Sequence, residues 1–364
     1  MPTVENNRRD IARTRVVQDH AVALQPGQSR LRVDAFGLTA NNVTYAVFGD
    51  MLRYWEVFPA PESPAEWGRV PVWGFGEVTE SQSESLAVGE RLFGFLPMSD
   101  ELIITPGKSD ASGLSDVAAH REGLFGTYNR YQRVEADPSY RADRDQHQML
   151  LYPLFVTGFV IDDFLIDQGD FGAEQIVVSS ASSKTALGVA HSAHRRGAKV
   201  VGLTSVGNVA MVADLGLYNE VLAYDNVDQL AAVPSVFVDI AGNADVVQAV
   251  HHRLEGNLGH SMIVGNTNWD HQATTSGDLP APTPEFFFAP TQISKRTKEW
   301  GADGLAQRMA AAWNTFADWA DSWLTFEQVV GADAVVAAFG DLAAGRTNPR
   351  TGFIATMIDA SASL

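Results

Sequence analysis

The chain has no cysteine among its 364 residues, which excludes disulfides, thiol nucleophiles and any cysteine-ligated zinc. Positive charge is scarce: 26 Lys and Arg stand against 44 Asp and Glu, a formal net charge of −18. Nucleic acid and anionic membrane surfaces are bound through clustered positive charge, so neither is an expected partner. No apolar run approaches membrane length, and the start, MPTVENNRRDIARTRV, is polar rather than signal-like; a cytoplasmic location is the expectation. With 45% hydrophobic and 19% charged residues the chain can be globular throughout. Its length exceeds one ordinary core, so two domains are expected.

Glycine is missing at one place where it matters. Residues 171–205, FGAEQIVVSSASSKTALGVAHSAHRRGAKVVGLTS, read as a strand (Gln175 to Ser180), a turn (Ala181 to Thr185), a helix (Ala186 to Arg196, closed by Gly197) and a second strand (Lys199 to Leu203). Parallel strands need a right-handed crossover, which places the turn at the carboxyl ends of the strands, where ligands bind. A dinucleotide fingerprint has glycines in this turn, so that backbone can approach a pyrophosphate at the helix N-terminus. Here the residues are Ser180, Ala181, Ser182, Ser183, Lys184, Thr185 and Ala186. Hydroxyls and an ammonium group replace open backbone, and both favour an anion there. Lys184 and Thr185 mimic the end of a Walker A loop, but the glycine before the lysine and the first glycine of that loop are absent. A serine-capped helix with a solvated lysine is the plainer reading of S-S-K-T by itself; its position after a buried strand favours phosphate.

At the end of the second strand, NAD enzymes place an acid for the ribose hydroxyls. This chain has Thr204, Ser205, Val206, Gly207 and Asn208. Nothing there repels a 2′-phosphate, so NADP is favoured over NAD, with Lys184 available to supply the charge an arginine usually brings. Leu222 to Asp225, Ser235 to Asp239 and Ser261 to Gly265 read as further strands. Tyr224, Asp239, Ala241, Gly242, Gly265 and Asn266 then fall along the same carboxyl edge, although a strand-end Asp followed by Gly is equally turn chemistry.

Upstream the texture is β-rich: Leu31 to Ala35, Val72 to Thr79, Arg91 to Leu96 and Leu102 to Thr105 are short strands broken by glycine and proline. The order L-R-V-D-A-F-G-L-T-A-N-N (31–42), W-G-F-G-E-V (73–78), V-G-E-R-L-F-G-F (88–95), then a Rossmann unit entered through Leu154 to Phe159, resembles the medium-chain dehydrogenase/reductase superfamily. More closely, M-L-R-Y-W-E-V-F-P (51–59), P-V-W-G-F-G-E-V (71–78), Y-N-R-Y (128–131), P-L-F-V-T-G-F-V-I-D-D-F-L (153–165), S-S-A-S-S-K-T-A (179–186) and P-E-F-F-F-A-P (284–290) are similar to the DUF2855 branch. The resemblance implies an α/β fold with two domains. One is a GroES-like β-rich substrate and catalytic domain, residues 1–150, completed by 325–364. The other is a Rossmann domain with a doubly wound parallel sheet, residues 151–290, and 291–324 form a helical segment between or beside them.

The superfamily's catalytic zinc positions correspond here to Thr39 and to Val72 and Trp73, none of which holds a metal, so the resemblance implies zinc-independent chemistry. His191 with His194, and His251 with His252, are more often solvated or helix-end residues than ligands. Without zinc, a carbonyl oxygen or enolate gaining charge needs a proton donor or hydrogen bonds. No Tyr-x-x-x-Lys occurs. The segment implied to face the nicotinamide offers Asn42, Tyr45, Tyr54 and Trp55. Asn42 is expected to line the cleft and Tyr54 to donate the proton, while an aromatic pair packing under a loop is an equal reading of Tyr54 and Trp55. Asp162 and Asp163 are placed at the start of a linking helix, in a capping or solvated role.

Lys295, Arg296 and Lys298 follow three phenylalanines that suit a subunit contact; the cations could reach toward cofactor phosphate or an acidic substrate, but a solvated helix face is the plainer reading. Trp313, Phe316, Trp319 and Trp323 recur at helical spacing in residues 301–325, as core residues do. R-T-N-P-R-T-G-F-I-A-T-M-I near the end resembles a strand returning to the first domain. Together these features give the expectation of an NADP(H)-dependent, zinc-independent oxidoreductase and homodimer, reducing a carbonyl or an activated C=C bond of a small to medium organic substrate. A lyase or hydrolase on the same scaffold, or a non-catalytic NADPH-binding protein, fits the same residues.

Overall fold

The computed structural model describes residues 1–264 and 279–358. They divide into two units, residues 1–150 with 324–364 and residues 151–323.

The first unit is β-rich. β1 (Pro2–Asn7) lies between β2 (Thr14–Gln18) and β4 (Trp67–Gly68) in a small sheet. The large sheet is built from β3 (Ser29–Leu38), β5 (Pro71–Ser81), β6 (Arg91–Pro97), β7 (Glu101–Ile104), β8 (Pro106–Asp110), β9 (Gly113–Asp116), β10 (Arg130–Arg133), β17 (Thr325–Val330) and β18 (Thr351–Thr356). β18 pairs antiparallel with β3, Phe353 opposite Leu38 and Ala355 opposite Phe36, so the chain's last strand returns to the sheet its first strands began. Along β3, Leu31 and Val33 alternate into one core, and after a register shift between Val33 and Ala35, Phe36 and Leu38 enter it, as do Val72 and Val78 of β5, the period-2 pattern of a pleated sheet interrupted by a bulge. Three helices accompany this sheet: α1 (Ala40–Val47), the single turn α2 (Gly126–Asn129) and, late in the chain, α8 (Ala332–Ala343).

The division between units falls within α3 (Asp145–Asp167). By length and composition α3 is apolar enough to cross a membrane, contrary to the sequence expectation, and 56% of its most apolar window is buried in the protein. Asp162 and Asp163 lie near its C-terminal end rather than at its start, and both are buried.

The second unit contains a six-stranded sheet of β11 (Gln175–Val178), β12 (Val200–Thr204), β13 (Glu220–Ala223), β14 (Ser235–Asp239), β15 (Leu258–Ile263) and β16 (Glu285–Phe286), in the order 13-12-11-14-15-16, with all pairs parallel. β11, β12 and β14 are buried at every position, which explains their unbroken β-branched runs. The crossovers carry α4 (Lys184–Arg195), α5 (Val209–Asp214) and α6 (Ala244–Arg253). α3 crosses α4 at two glycines: a Cβ on Gly158 would stand 2.6 Å from the Gly188 carbonyl carbon. The long α7 (Ala289–Ala320) is broken at Gly301, whose φ of 75° and ψ of 161° leave the helical region and are strained for any residue with a Cβ. Beyond the break, Trp313 and Phe316 are buried, and Phe316 and Trp319 pack on His191 of α4. His191 is therefore a core residue, and burial lowers its pKa to about 4. Arg296 does not lie on a solvated face. It is buried, and its Nε donates to Asp163 at 2.7 Å.

Candidate functional site

The order of the parallel sheet reverses between β11 and β14, and the turns that follow these two strands form the switch point where open α/β sheets bind ligands. Ser179, directly after β11, ties the two turns together. Its Oγ donates to Asp239 Oδ1 at 2.6 Å and accepts from the backbone amides of Ile240 at 2.8 Å and Ala241 at 2.9 Å. Gly242 N donates to the same Asp239 oxygen at 3.3 Å. Asp239 is buried, and the loss of solvation raises its pKa to about 6 despite the Ser179 hydroxyl and the amides of Gly242 and Ala241.

Ser180 opens the turn with a φ of 52°, a left-handed conformation rare outside glycine. Several bonds hold it there. Its amide donates to the Tyr224 hydroxyl at 3.0 Å, its carbonyl accepts from Ser183 N at 2.7 Å, Ala181 N donates to Leu203 O at 3.0 Å, and the Tyr218 hydroxyl donates to Ala181 O at 2.8 Å. Ser183 is the N-cap of α4, its Oγ accepting from Ala186 N at 3.3 Å. Ser182 Oγ accepts from Asn208 Nδ2 at 3.3 Å, which joins the turn to the segment after β12. Among the described residues the amides of Ser182 and Thr185 take no partner. They lie at the positive end of a helix, where an anion is favoured. Lys184 is the first residue of α4, half-buried, and desolvation lowers its ammonium to about 8.

Of the residues expected to bind cofactor, the structure thus links Ser180, Ser182, Ser183, Asn208, Tyr224, Ala241 and Gly242, with Lys184 and Thr185 half-buried on the first turn of α4. Ser205 is exposed at the end of β12, whereas Thr204 and Ala241 are fully buried. The Ala241 amide is occupied by Ser179, so neither residue presents its polar groups as expected. Gly265 and Asn266 lie outside the described residues. Ser179 and Tyr218 were missed. Ser179 had a signal, being the polar residue that ends a buried strand, while Tyr218 had none in the local sequence.

In the first unit, Asn42 works as the third residue of a capping box on α1. Its Oδ1 accepts from Thr39 N at 2.7 Å, and its Nδ2 donates to Pro71 O at 3.0 Å. Asn42 is buried, and this amide is engaged with backbone, so the expected exposure toward a ligand is replaced by local support of α1. Tyr54, the expected proton donor, is buried beside Tyr45, ring centroids 4.7 Å apart, and its hydroxyl pairs with that of Tyr128 at 2.8 Å. Trp73 Nε1 donates to the Tyr45 hydroxyl at 2.9 Å. Thr39, at the usual zinc-ligand position, is the N-cap of α1, and among the described residues no group of three or more His, Asp or Glu is placed to hold a metal ion.

A β-rich unit closed by a C-terminal strand, together with a six-stranded parallel sheet in this order, is the fold of the medium-chain dehydrogenases and reductases. The family model described as "Protein of unknown function (DUF2855)" matches residues 36–348, and the chain belongs to that family. No curated protein matches it. Among solved structures, it is similar to CurA in complex with NADPH from Vibrio vulnificus, with 14% identity and a TM-score of 0.64 over 99% of this chain and 100% of that one. The yhdH oxidoreductase from Salmonella enterica in complex with NADP shares 13% identity, TM-score 0.51, over 98% and 100%. A quinone oxidoreductase of Pseudomonas syringae shares 17%, TM-score 0.50, over 97% and 99%. At these identities the likeness is one of fold.

Proposed function

We propose that the chain is an NADP(H)-dependent, zinc-independent oxidoreductase that reduces a carbonyl or an activated C=C bond of a small to medium organic substrate, as a cytoplasmic homodimer. The observation that carries the reading is the turn after β11: two amides, Ser182 and Thr185, without a partner among the described residues, at a helix N-terminus beside Lys184. That donor set fits a diphosphate. The absence of an acid from Ser205 to Asn208 favours the 2′-phosphorylated dinucleotide, with the Ser205 hydroxyl and the Asn208 amide as its ligands. NADP and NADPH occupy two of the similar solved structures, which supports the same reading.

When bound, the dinucleotide would supply a hydride. The residues of the chain then have two tasks. The turn fixes the phosphates through backbone N–H groups whose positions do not depend on side-chain rotamers, so little is reorganised when cofactor binds. Lys184 brings an ammonium whose pKa burial lowers to about 8; an anion beside it favours the protonated form, so binding draws in a proton at slightly alkaline pH. The test is NADPH oxidation by the purified protein with a panel of aldehydes and enones, with NADPH binding measured alongside. Consumption with at least one acceptor, and a dissociation constant raised about tenfold or more in Lys184→Ala, is the expected result. No binding of NADPH or NADP abandons the reading.

A further inference from the structure

The first turns of α7 carry Lys295, Arg296 and Lys298, and the structure sets one of these cations apart. Arg296 donates to Asp163 and reaches Asp167 at 3.2 Å, and Lys295 pairs with Asp167, so both are engaged with α3. Lys298 is exposed and has no acid partner among the described residues. It lines a cavity of about 560 Å³ together with Phe288, Pro290, Thr291, Ser294, Lys295 and Glu299. Thr291, Ser294 and Lys298 stand at i, i+3 and i+7 and so share one face of the helix. The hydroxyls of Thr291 and Ser294 take no partner among the described residues. Glu299 is drawn to Arg296, its Oε2 accepting from the guanidinium at 2.5 Å. The charges of the lining therefore cancel in pairs, Lys295 with Asp167 and Glu299 with Arg296, and a single positive charge, Lys298, is left over. β16 pairs parallel with β15, so α7 sets out from the carboxyl edge of the sheet, the edge at which open α/β sheets take their ligands.

We propose that this cavity binds a small monocarboxylate with a flat apolar tail, the carboxylate accepting from the Lys298 ammonium and from the hydroxyls of Thr291 and Ser294, and the tail lying against Phe288 and Pro290. A cavity of this size takes a small organic molecule, and rings combined with a few convergent donors are the usual make-up of such a site. Charge complementarity decides the head group. A cation meets Lys298 with like charge. A phosphate dianion brings two charges to one uncompensated cation, in a chain whose net charge of −18 repels anions at long range. A carboxylate matches the single charge, and one ammonium with two hydroxyls gives both of its oxygens donors. The assignment does not rest on the oxidoreductase reading, since neither the turn after β11 nor a dinucleotide enters it.

The experiment is calorimetric titration of the full chain, without dinucleotide, with 1-naphthylacetate and with 1-naphthylacetamide, which has the same rings and an uncharged head. Wild type is expected to bind the acid about fivefold or more tightly than the amide at low salt, and the preference shrinks as salt rises because Lys298 is exposed. Lys298→Met keeps the aliphatic stem and, at an exposed position, the fold; it is expected to bind acid and amide alike. Phe288→Ala weakens both ligands by a similar factor. Equal affinities in wild type, or a preference that survives in Lys298→Met, overturns the assignment. A preference lost in Lys184→Ala and kept in Lys298→Met also overturns it, and places the carboxylate at the turn after β11. A chain that binds no NADPH yet prefers the acid through Lys298 keeps this site and loses the oxidoreductase reading.

Discussion

Replacing Ser179 with alanine removes a hydroxyl that serves two backbone amides and a carboxylate, all buried. Each stranded partner loses its bond without gaining water, so Ser179→Ala is expected to cost about 3 kcal/mol in urea unfolding; a cost under about 1 kcal/mol would mean that the two turns hold each other by packing alone. Asp239 gives the companion prediction in pH. Its ordinary pKa of 3.8 rises to about 6 in the folded protein, so between these values the native state binds the proton that the unfolded state has lost. The sign follows: this stability is fully present below about pH 4 and is lost as pH rises toward 6, on the order of 3 kcal/mol in all. Asp239→Asn keeps an acceptor for Ser179 and removes the dependence, so unfolding of the two proteins across pH 4 to 6 should show a flatter profile for the variant. Ser182 and Ser183 were legible as a turn because they sit between a β-branched strand and a small-residue helix, although Lys184, expected in the turn, is the first residue of α4. The roles of Asn42 and Tyr54 were not, since a capping box on Thr39 and a hydroxyl pair with a tyrosine 74 positions away depend on which neighbours the fold brings to them.

The helices show the same contrast. α4 was readable from its alanines and its closing Gly197, and its observed start at Lys184 differs from the expected Ala186 only by the first turn, where Ser183 caps it. The contact of α3 with α4 was not readable. It depends on Gly158 lying against Gly188, and a glycine inside a helix looks merely unfavourable until its partner is known. Gly158→Ala drives a methyl into the backbone of α4 and is expected to destabilise by about 2–3 kcal/mol, whereas Gly207→Ala enters open space and should stay within about 0.5 kcal/mol. Thermal melts of the two variants decide this; equal shifts would show that the helices simply move apart. Arg296 was read as solvated because three cations in four residues usually are, but Asp163, Asp167 and Glu299 surround it. A buried arginine with acids from another helix is invisible to charge counting along one helix.

At the scale of the whole molecule, the parallel sheet and the returning C-terminal strand were legible, because buried parallel strands write themselves as continuous apolar runs and the order of signals along the chain restricts the topology. The net charge of −18 adds a constraint on function. A dinucleotide carrying several negative charges approaches an acidic molecule, so its affinity must come from local donors at the turn rather than from the long-range field. The central claim is therefore tested most directly by titration calorimetry of the purified protein with NADPH, NADP, NADH and NAD, with Lys184→Ala alongside. Selective binding of NADPH and NADP, weakened in the variant, is the predicted result; no binding of any dinucleotide, or equal binding of all four by both proteins, would contradict it.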